Sequence, residues 1–119
     1  MMLPDAVENI DRFGFSVQNK GKLKGFCWSW AERIEPKRAR VINDKVLAIS
    51  TPGLAAKEVL LHSDERKFFT EPHYNGFPAI LVRLEAIEPD ELEDLLIDAW
   101  RCKASKATVL EYDSINQTQ

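Results

Sequence analysis

The chain has 119 residues, of which 45% are hydrophobic and 29% charged. That suits one domain with its own core and excludes a disordered chain. Its longest apolar stretches, such as Ala79 to Val82, fall far short of the ~20 residues of a bilayer span, so membrane insertion is excluded. The formal net charge of −3 argues against a protein that coats nucleic acid indiscriminately, yet it is unevenly spread. Between Lys20 and Lys45 eight Lys or Arg face three acids, a net +5, whereas residues 46 to 119 carry seven basic against thirteen acidic groups, a net −6. An anionic partner meets the basic segment first. Cys27 and Cys102 can form at most one disulfide, no secretory leader precedes them, and both have apolar or aromatic neighbours. A reducing, cytoplasmic setting with thiols packed as small hydrophobes is expected.

In chain order, Leu3, Val7 and Ile10 predict one side of a short N-terminal helix with Pro4 in its first turn. Phe13, Phe15 and Val17 alternate with Gly14, Ser16 and Gln18, the period-two signature of a half-buried strand, and Asn19-Lys20-Gly21-Lys22 supplies a turn. Strand alternation from Lys24 to Ile34 puts Phe26, Trp28 and Trp30 on one face and Cys27, Ser29 and Ala31 on the other. Such an aromatic ladder reads either as a sheet face covered by a helix or as the lining of a ligand groove or stacking platform. Glu35 to Arg40, with Pro36 and the basic Lys37, Arg38 and Arg40, reads as an exposed loop. Val41-Ile42 precedes a turn or bulge signal at Asn43-Asp44, and a more buried strand follows to Ile49.

Thr51 is placed as N-cap and Pro52 as first residue of a helix running to about Ser63, with Ala56, Val59 and Leu60 on its apolar face. Phe68 and Phe69 anchor the following turn in the core. Thr70 to Pro78, with two prolines and an Asn-Gly pair, is a structured turn leading to an edge, and Ala79 to Leu84 forms a strand with Ile80, Val82 and Leu84 inward. Pro89, Asp90, Glu91 and Glu93 open a long helix whose Leu92, Leu95, Leu96, Ala99 and Trp100 meet the sheet. Residues from about 111 to 119 are expected to be a loose tail. The whole chain reads as one α+β domain, a mainly antiparallel sheet flanked by helices.

Chemistry-bearing patterns are sparse. Neither a dinucleotide glycine fingerprint nor a phosphate loop occurs, and Cys27, His62, His73 and Cys102 lack zinc-ligand spacing, so no catalytic residue, metal ligand or cofactor is assigned and an enzyme is disfavoured. The acids around the last helix start are a solvated helix N-terminus. Two readings of function stand. In one, Lys20, Lys22 and Lys24, extended by Lys37, Arg38 and Arg40, contact phosphates while Trp28 or Trp30 stacks on a base, giving weak binding of nucleic acid without base preference. In the other, the sheet face serves a protein partner without a small ligand. His73 and Tyr74, held in the proline-rich turn, are a candidate ligand rim for the first reading. Oligomeric state stays open, since an edge strand can pair between subunits.

Taken together, Val46-Leu47-Ala48-Ile49, Phe68-Phe69-Thr70, Pro72-His73-Tyr74-Asn75-Gly76-Phe77-Pro78-Ala79, Val82-Arg83-Leu84 and Ala99-Trp100-Arg101 resemble the MmcQ/YjbR family. Phe26-Cys27-Trp28 and Pro36-Lys37 resemble one of its branches, so the likeness covers roughly residues 13 to 108. The resemblance implies a small α+β domain similar to the CyaY-like or double-wing arrangement, described as DNA-binding-like from shape. It implies no catalytic residues. Tyr74-Asn75-Gly76 departs from the Asn-Lys-containing form of the histidine turn found in other members, and no iron site is carried over.

Overall fold

Runs of alternating or continuous apolar residues pair into one antiparallel sheet, whose strands are β1 (Ala6–Glu8), β2 (Gly14–Asn19), β3 (Lys22–Glu32), β4 (Val41–Ser50), β5 (Phe68–Phe69) and β6 (Ala79–Arg83). Their spatial order is β1-β2-β3-β4-β6-β5. The structure is a computed structural model and describes residues 3–9, 13–32, 39 and 41–117. Helices α1 (Leu54–Ser63), α2 (Pro89–Lys103) and α3 (Lys106–Gln117) pack on the sheet, so the fold is α+β, as the sequence pattern predicts. The β2–β3 turn also forms where the sequence puts it. Lys20 and Gly21 have φ of 54° and 80°, the backbone of a two-residue hairpin turn whose twist matches its strands.

The core divides between the two sheet faces. Beneath the helices lie Val17, Phe26, Cys27, Leu47, Ile49, Phe68, Ile80, Val82, Ala99 and Trp100. Leu60 and Leu61 of α1, Leu92, Leu95 and Leu96 of α2, and Val109 and Tyr112 of α3 close over them. The periodic face read for α2 is therefore the face that packs. Trp100 is fully buried, stands edge-on to Tyr112 at 5.1 Å, and donates its indole N–H to the Pro4 carbonyl at 2.9 Å. The opposite face carries no α-helix among the described residues. Trp30, Val46, Ala48, Tyr74, Ala79 and Leu81 are buried there, with Trp28 and Phe69 packed against them.

Several expectations are corrected. The N-terminal segment pairs as β1 with β2 instead of forming a helix, because a turn at Pro4-Asp5, with Asp5 at φ 60°, redirects the chain after Leu3. The register pairs Phe15 with Cys27 but Ser16 with Gly25, so Phe26 is an extra residue in β3. This bulge puts Phe26 and Cys27 together under the helices and sends Trp28 and Trp30 to the open face, splitting the ladder that strict alternation predicts. A second irregularity, where Ser29 pairs with Leu47 but Trp30 with Asn43, makes Val41 to Ser50 one bulged strand.

Gly53, at φ 106°, is the N-cap of α1, and Thr51 turns its hydroxyl to the Gly53 carbonyl at 3.0 Å. The inward face of α1 is Lys57, Leu60 and Leu61, and Val59 is 68% exposed. β6 is not an edge, since β5 pairs with its Val82 and Leu81. The segment expected as a loose tail continues α3 to Gln117, held by Tyr112 on Trp100 and by Asp113 against Arg101 at 2.7 Å. Cys27 is buried as expected, whereas Cys102 is exposed and its thiol donates to the Asp98 carbonyl at 3.1 Å.

Candidate binding site: an aromatic pocket on the open sheet face

The register aligns Trp28 with Ala48, Ala48 with Leu81, and Leu81 with Phe69 in one row across the open face. Ala48 and Leu81 are fully buried in that row, and the segment from Thr70 to Pro78 folds onto it with Tyr74 in the same cluster. Pro72–Tyr74 makes one 3-10 turn, the Tyr74 N–H donates to the Glu71 carbonyl at 2.8 Å, and the Phe77 N–H donates to the Tyr74 carbonyl at 3.0 Å. Gly76 between them has φ 77°, the left-handed conformation that the Asn-Gly pair suggests.

This loop and β3 together build a pocket of about 280 Å³ lined by Trp28, His73, Tyr74 and Phe77. The Trp28 indole N–H donates to the Tyr74 hydroxyl at 3.0 Å. Phe77 stands edge-on to Trp28 at 6.4 Å and to Tyr74 at 6.0 Å, and His73 edge-on to Tyr74 at 5.8 Å. Tyr74 is buried, Trp28 half-buried, and Phe77 47% exposed, so the pocket has a fixed floor and an accessible apolar lip. None of its four lining residues is a carboxylate or an aliphatic amine. Further along the same face, Trp30 meets Phe69 edge-on at 5.4 Å and the Arg83 guanidinium lies 4.1 Å from the Phe69 centroid.

Behind the loop stands a group the sequence reading did not single out. Lys57 of α1 is only 3% exposed, and its Nζ donates to the Tyr74 carbonyl at 2.6 Å and the Phe77 carbonyl at 2.9 Å. Burial holds its pKa below the usual lysine range, against the opposing pull of Glu58. The signal available was positional: Leu60 and Leu61 follow Lys57 at three and four residues, so a core-facing helix must turn Lys57 inward with them.

Of the predicted cationic residues, Lys20, Lys22 and Lys24 are exposed around the β2–β3 turn. Lys24 is opposite the fully buried Val17, and Lys22 is opposite Asn19, whose amide donates to the Lys103 carbonyl at the end of α2. Directly opposed residues share a face, so Lys22 and Lys24 belong to the helix side, across the sheet from Trp28 and Trp30. Lys37, Arg38 and Arg40 lie outside the described residues. Their nearest paired neighbours, Glu32 and Val41, are at the far end of the eleven-residue β3, about 33 Å from the hairpin turn at ~3.3 Å per residue. The structure thus brings His73 and Tyr74 together with Trp28, and does not bring Lys20, Lys22 or Lys24 to them. Four other described basic side chains are paired with acids: Lys67 with Glu91 at 2.7 Å, Arg66 with Asp64 at 3.2 Å, Lys45 with Glu85 at 3.5 Å and Arg101 with Asp113 at 2.7 Å. Among the described residues no three His, Cys, Asp or Glu side chains gather as a metal site.

No family model matches the chain, and no solved structure matches it. It is 36% identical over 64 residues to the uncharacterised protein Rv2570 of Mycobacterium tuberculosis, and equally to the uncharacterised protein Mb2600 of Mycobacterium bovis. The matched segment covers 54% of this chain and 50% of each relative, so the chain spans about half the length of the curated relatives it matches.

Proposed function

We propose that this chain is a non-catalytic protein-interaction module that receives an apolar or aromatic anchor side chain of a partner in the Trp28–His73–Tyr74–Phe77 pocket. The observation that carries the reading is an aromatic pocket on the sheet face that no described α-helix covers. Its volume of about 280 Å³ falls just below the ~300–1,000 Å³ of small-molecule sites and suits one inserted side chain. Trp and Tyr in a well-packed pocket are the residue types that dominate interface energetics. Phe77, 47% exposed, gives the pocket an accessible apolar lip. None of the four lining residues carries a permanent charge, which supports the same choice. Membership of the MmcQ/YjbR family and a cytoplasmic setting are parts of this proposal and rest on the sequence resemblance and on cysteine usage.

A second reading keeps one observation in its favour. Lys20, Lys22 and Lys24 are exposed and make no ion pair among the described residues, so the hairpin offers a small cationic patch for phosphates. One pair of measurements separates the readings. A photoreactive benzoylphenylalanine replacing Phe77 should form a discrete protein adduct in cells, abolished by Trp28→Ala and absent when the same group replaces Val59 on the helix side. A fluorescent single-stranded oligonucleotide should show little binding that depends on the lysines. Salt-sensitive oligonucleotide binding, lost when Lys20, Lys22 and Lys24 are all replaced by Ala and indifferent to Trp28→Ala, would transfer the function to the hairpin.

A further inference from the structure

A buried ammonium needs a reason, because moving a charge out of water costs several kcal/mol unless it is paired or hydrogen-bonded. Lys57 has no carboxylate partner among the described residues, and its bonds go to two main-chain oxygens of a loop, 17 and 20 residues away in sequence. Those oxygens belong to Tyr74 and Phe77, two of the four residues that line the pocket. We propose that Lys57 is the positioning residue of the aromatic pocket, holding from behind the two residues whose rings form its walls.

The geometry gives each wall a defined hold. Tyr74 is gripped at both ends: its carbonyl accepts from Lys57 Nζ at 2.6 Å and from the Phe77 N–H at 3.0 Å, and its hydroxyl accepts from Trp28 at 3.0 Å. Both carbonyl lone pairs are thereby used. The Phe77 carbonyl accepts from Lys57 at 2.9 Å, and the loop ends one residue later where the Pro78 carbonyl accepts from the Thr51 N–H at 2.9 Å. Position 76 between the walls is a glycine in the left-handed region, so the loop's own backbone supplies little stiffness there. A long stem with a tetrahedral three-donor head can reach two carbonyls from one helix position; a shorter or planar group lacks that combination. The consequence for recognition rests on the pocket being the docking site, whereas the positioning itself is measurable with nothing bound.

The test follows indole N–H signals by two-dimensional nitrogen–proton NMR in the free protein, assigned with Trp28→Phe and Trp100→Phe. Lys57→Met keeps the stem and removes every donor. The Trp28 indole signal should then move toward its position in Tyr74→Phe, which lacks the acceptor, while the Trp100 signal, bonded to Pro4 on the helix side, stays in place. An unmoved Trp28 signal in a folded Lys57→Met protein overturns the proposal. Should that variant fail to fold, native amine acetylation of the wild-type chain decides. Lys57 should react on the order of tenfold more slowly than the exposed Lys45, and Gly76→Val, which disturbs the loop alone, should accelerate Lys57 selectively. Equal rates for Lys57 and Lys45, or no response to Gly76→Val, overturns it as well. If the Trp28 signal moves while cellular adducts from position 77 ignore Trp28→Ala, the docking reading fails and the positioning role stands.

Discussion

Trp28 and Tyr74, 46 residues apart, are joined by an indole-to-hydroxyl hydrogen bond of 3.0 Å that closes the open sheet face over its loop. Tyr74→Phe retains the ring and its packing against Phe77 and deletes only the acceptor. Net loss for such a bond is ~1 kcal/mol, and urea denaturation of the variant should read a destabilisation of that order. A loss several times larger would mean that the hydroxyl supports more than Trp28.

Trp100 fastens the other face. Its ring is fully buried, packs edge-on against Tyr112, and ties α2 to the N-terminal segment through Pro4. Trp100→Ala should cost about 3–5 kcal/mol, with chemical denaturation as the measurement and near-wild-type stability as the refuting outcome.

Two glycines should respond differently to substitution. A Cβ at Gly14, where φ is 153°, would lie 2.5 Å from the Cys27 carbonyl oxygen and 2.8 Å from Trp28 Cα, both backbone atoms that cannot swing aside. A Cβ at Gly76 would meet nothing within 4 Å, so its cost is the strain of φ 77° alone, ~1–2 kcal/mol for an ordinary residue and more for a β-branched one. Gly14→Ala should therefore destabilise more than Gly76→Ala, and Gly76→Asn should be the mildest of the three. Equal stability of Gly14→Ala and Gly76→Ala in thermal melts would contradict the close approach at position 14.

The thiols give a pH signature. Burial pushes the Cys27 thiol up to about 11, despite a backbone hydrogen bond from Phe15 that favours the thiolate. Between about pH 9 and 11 the unfolded chain has released this proton and the folded chain has not, so stability falls as pH rises through that window, by ~2–3 kcal/mol at its upper end. The fall should be shallower in Cys27→Ala, and in native protein an aromatic disulfide reagent should titrate Cys102 promptly and Cys27 only on unfolding.

Local chemistry explains what the sequence could disclose. Leu92 to Trp100 repeat at helical spacing behind a Pro-acid start, and Ile80 and Val82 alternate within a short run, so α2 and β6 follow from periodicity alone. Periodicity failed where an extra residue changed its phase: nothing in Gly25-Phe26-Cys27-Trp28 announces that Phe26 has no partner in β2. It also failed at the N terminus, where Leu3, Val7 and Ile10 fit a helix and pairing with β2 decides the outcome. The Asn-Gly pair disclosed the left-handed Gly76, and the proline-rich setting disclosed an ordered loop carrying His73 and Tyr74. The partners of that loop, Trp28 from a distant strand and Lys57 from α1, depend on long-range packing that no local window contains.

The extra residue at Phe26 has a further meaning for how the domain can change over time. Phe26 and Cys27 answer to the helices, whereas Trp28 and Trp30 answer to the loop residue Tyr74 and to Phe69 on the opposite face. One strand thus spans two separately adjustable compartments, and the tryptophan side can be rebuilt while the phase of the hydrophobic interior is left as it stands. Deleting Phe26 would leave Gly25 opposite Ser16 and Cys27 opposite Phe15, taking one ring out of the interior without moving the tryptophans to the other face.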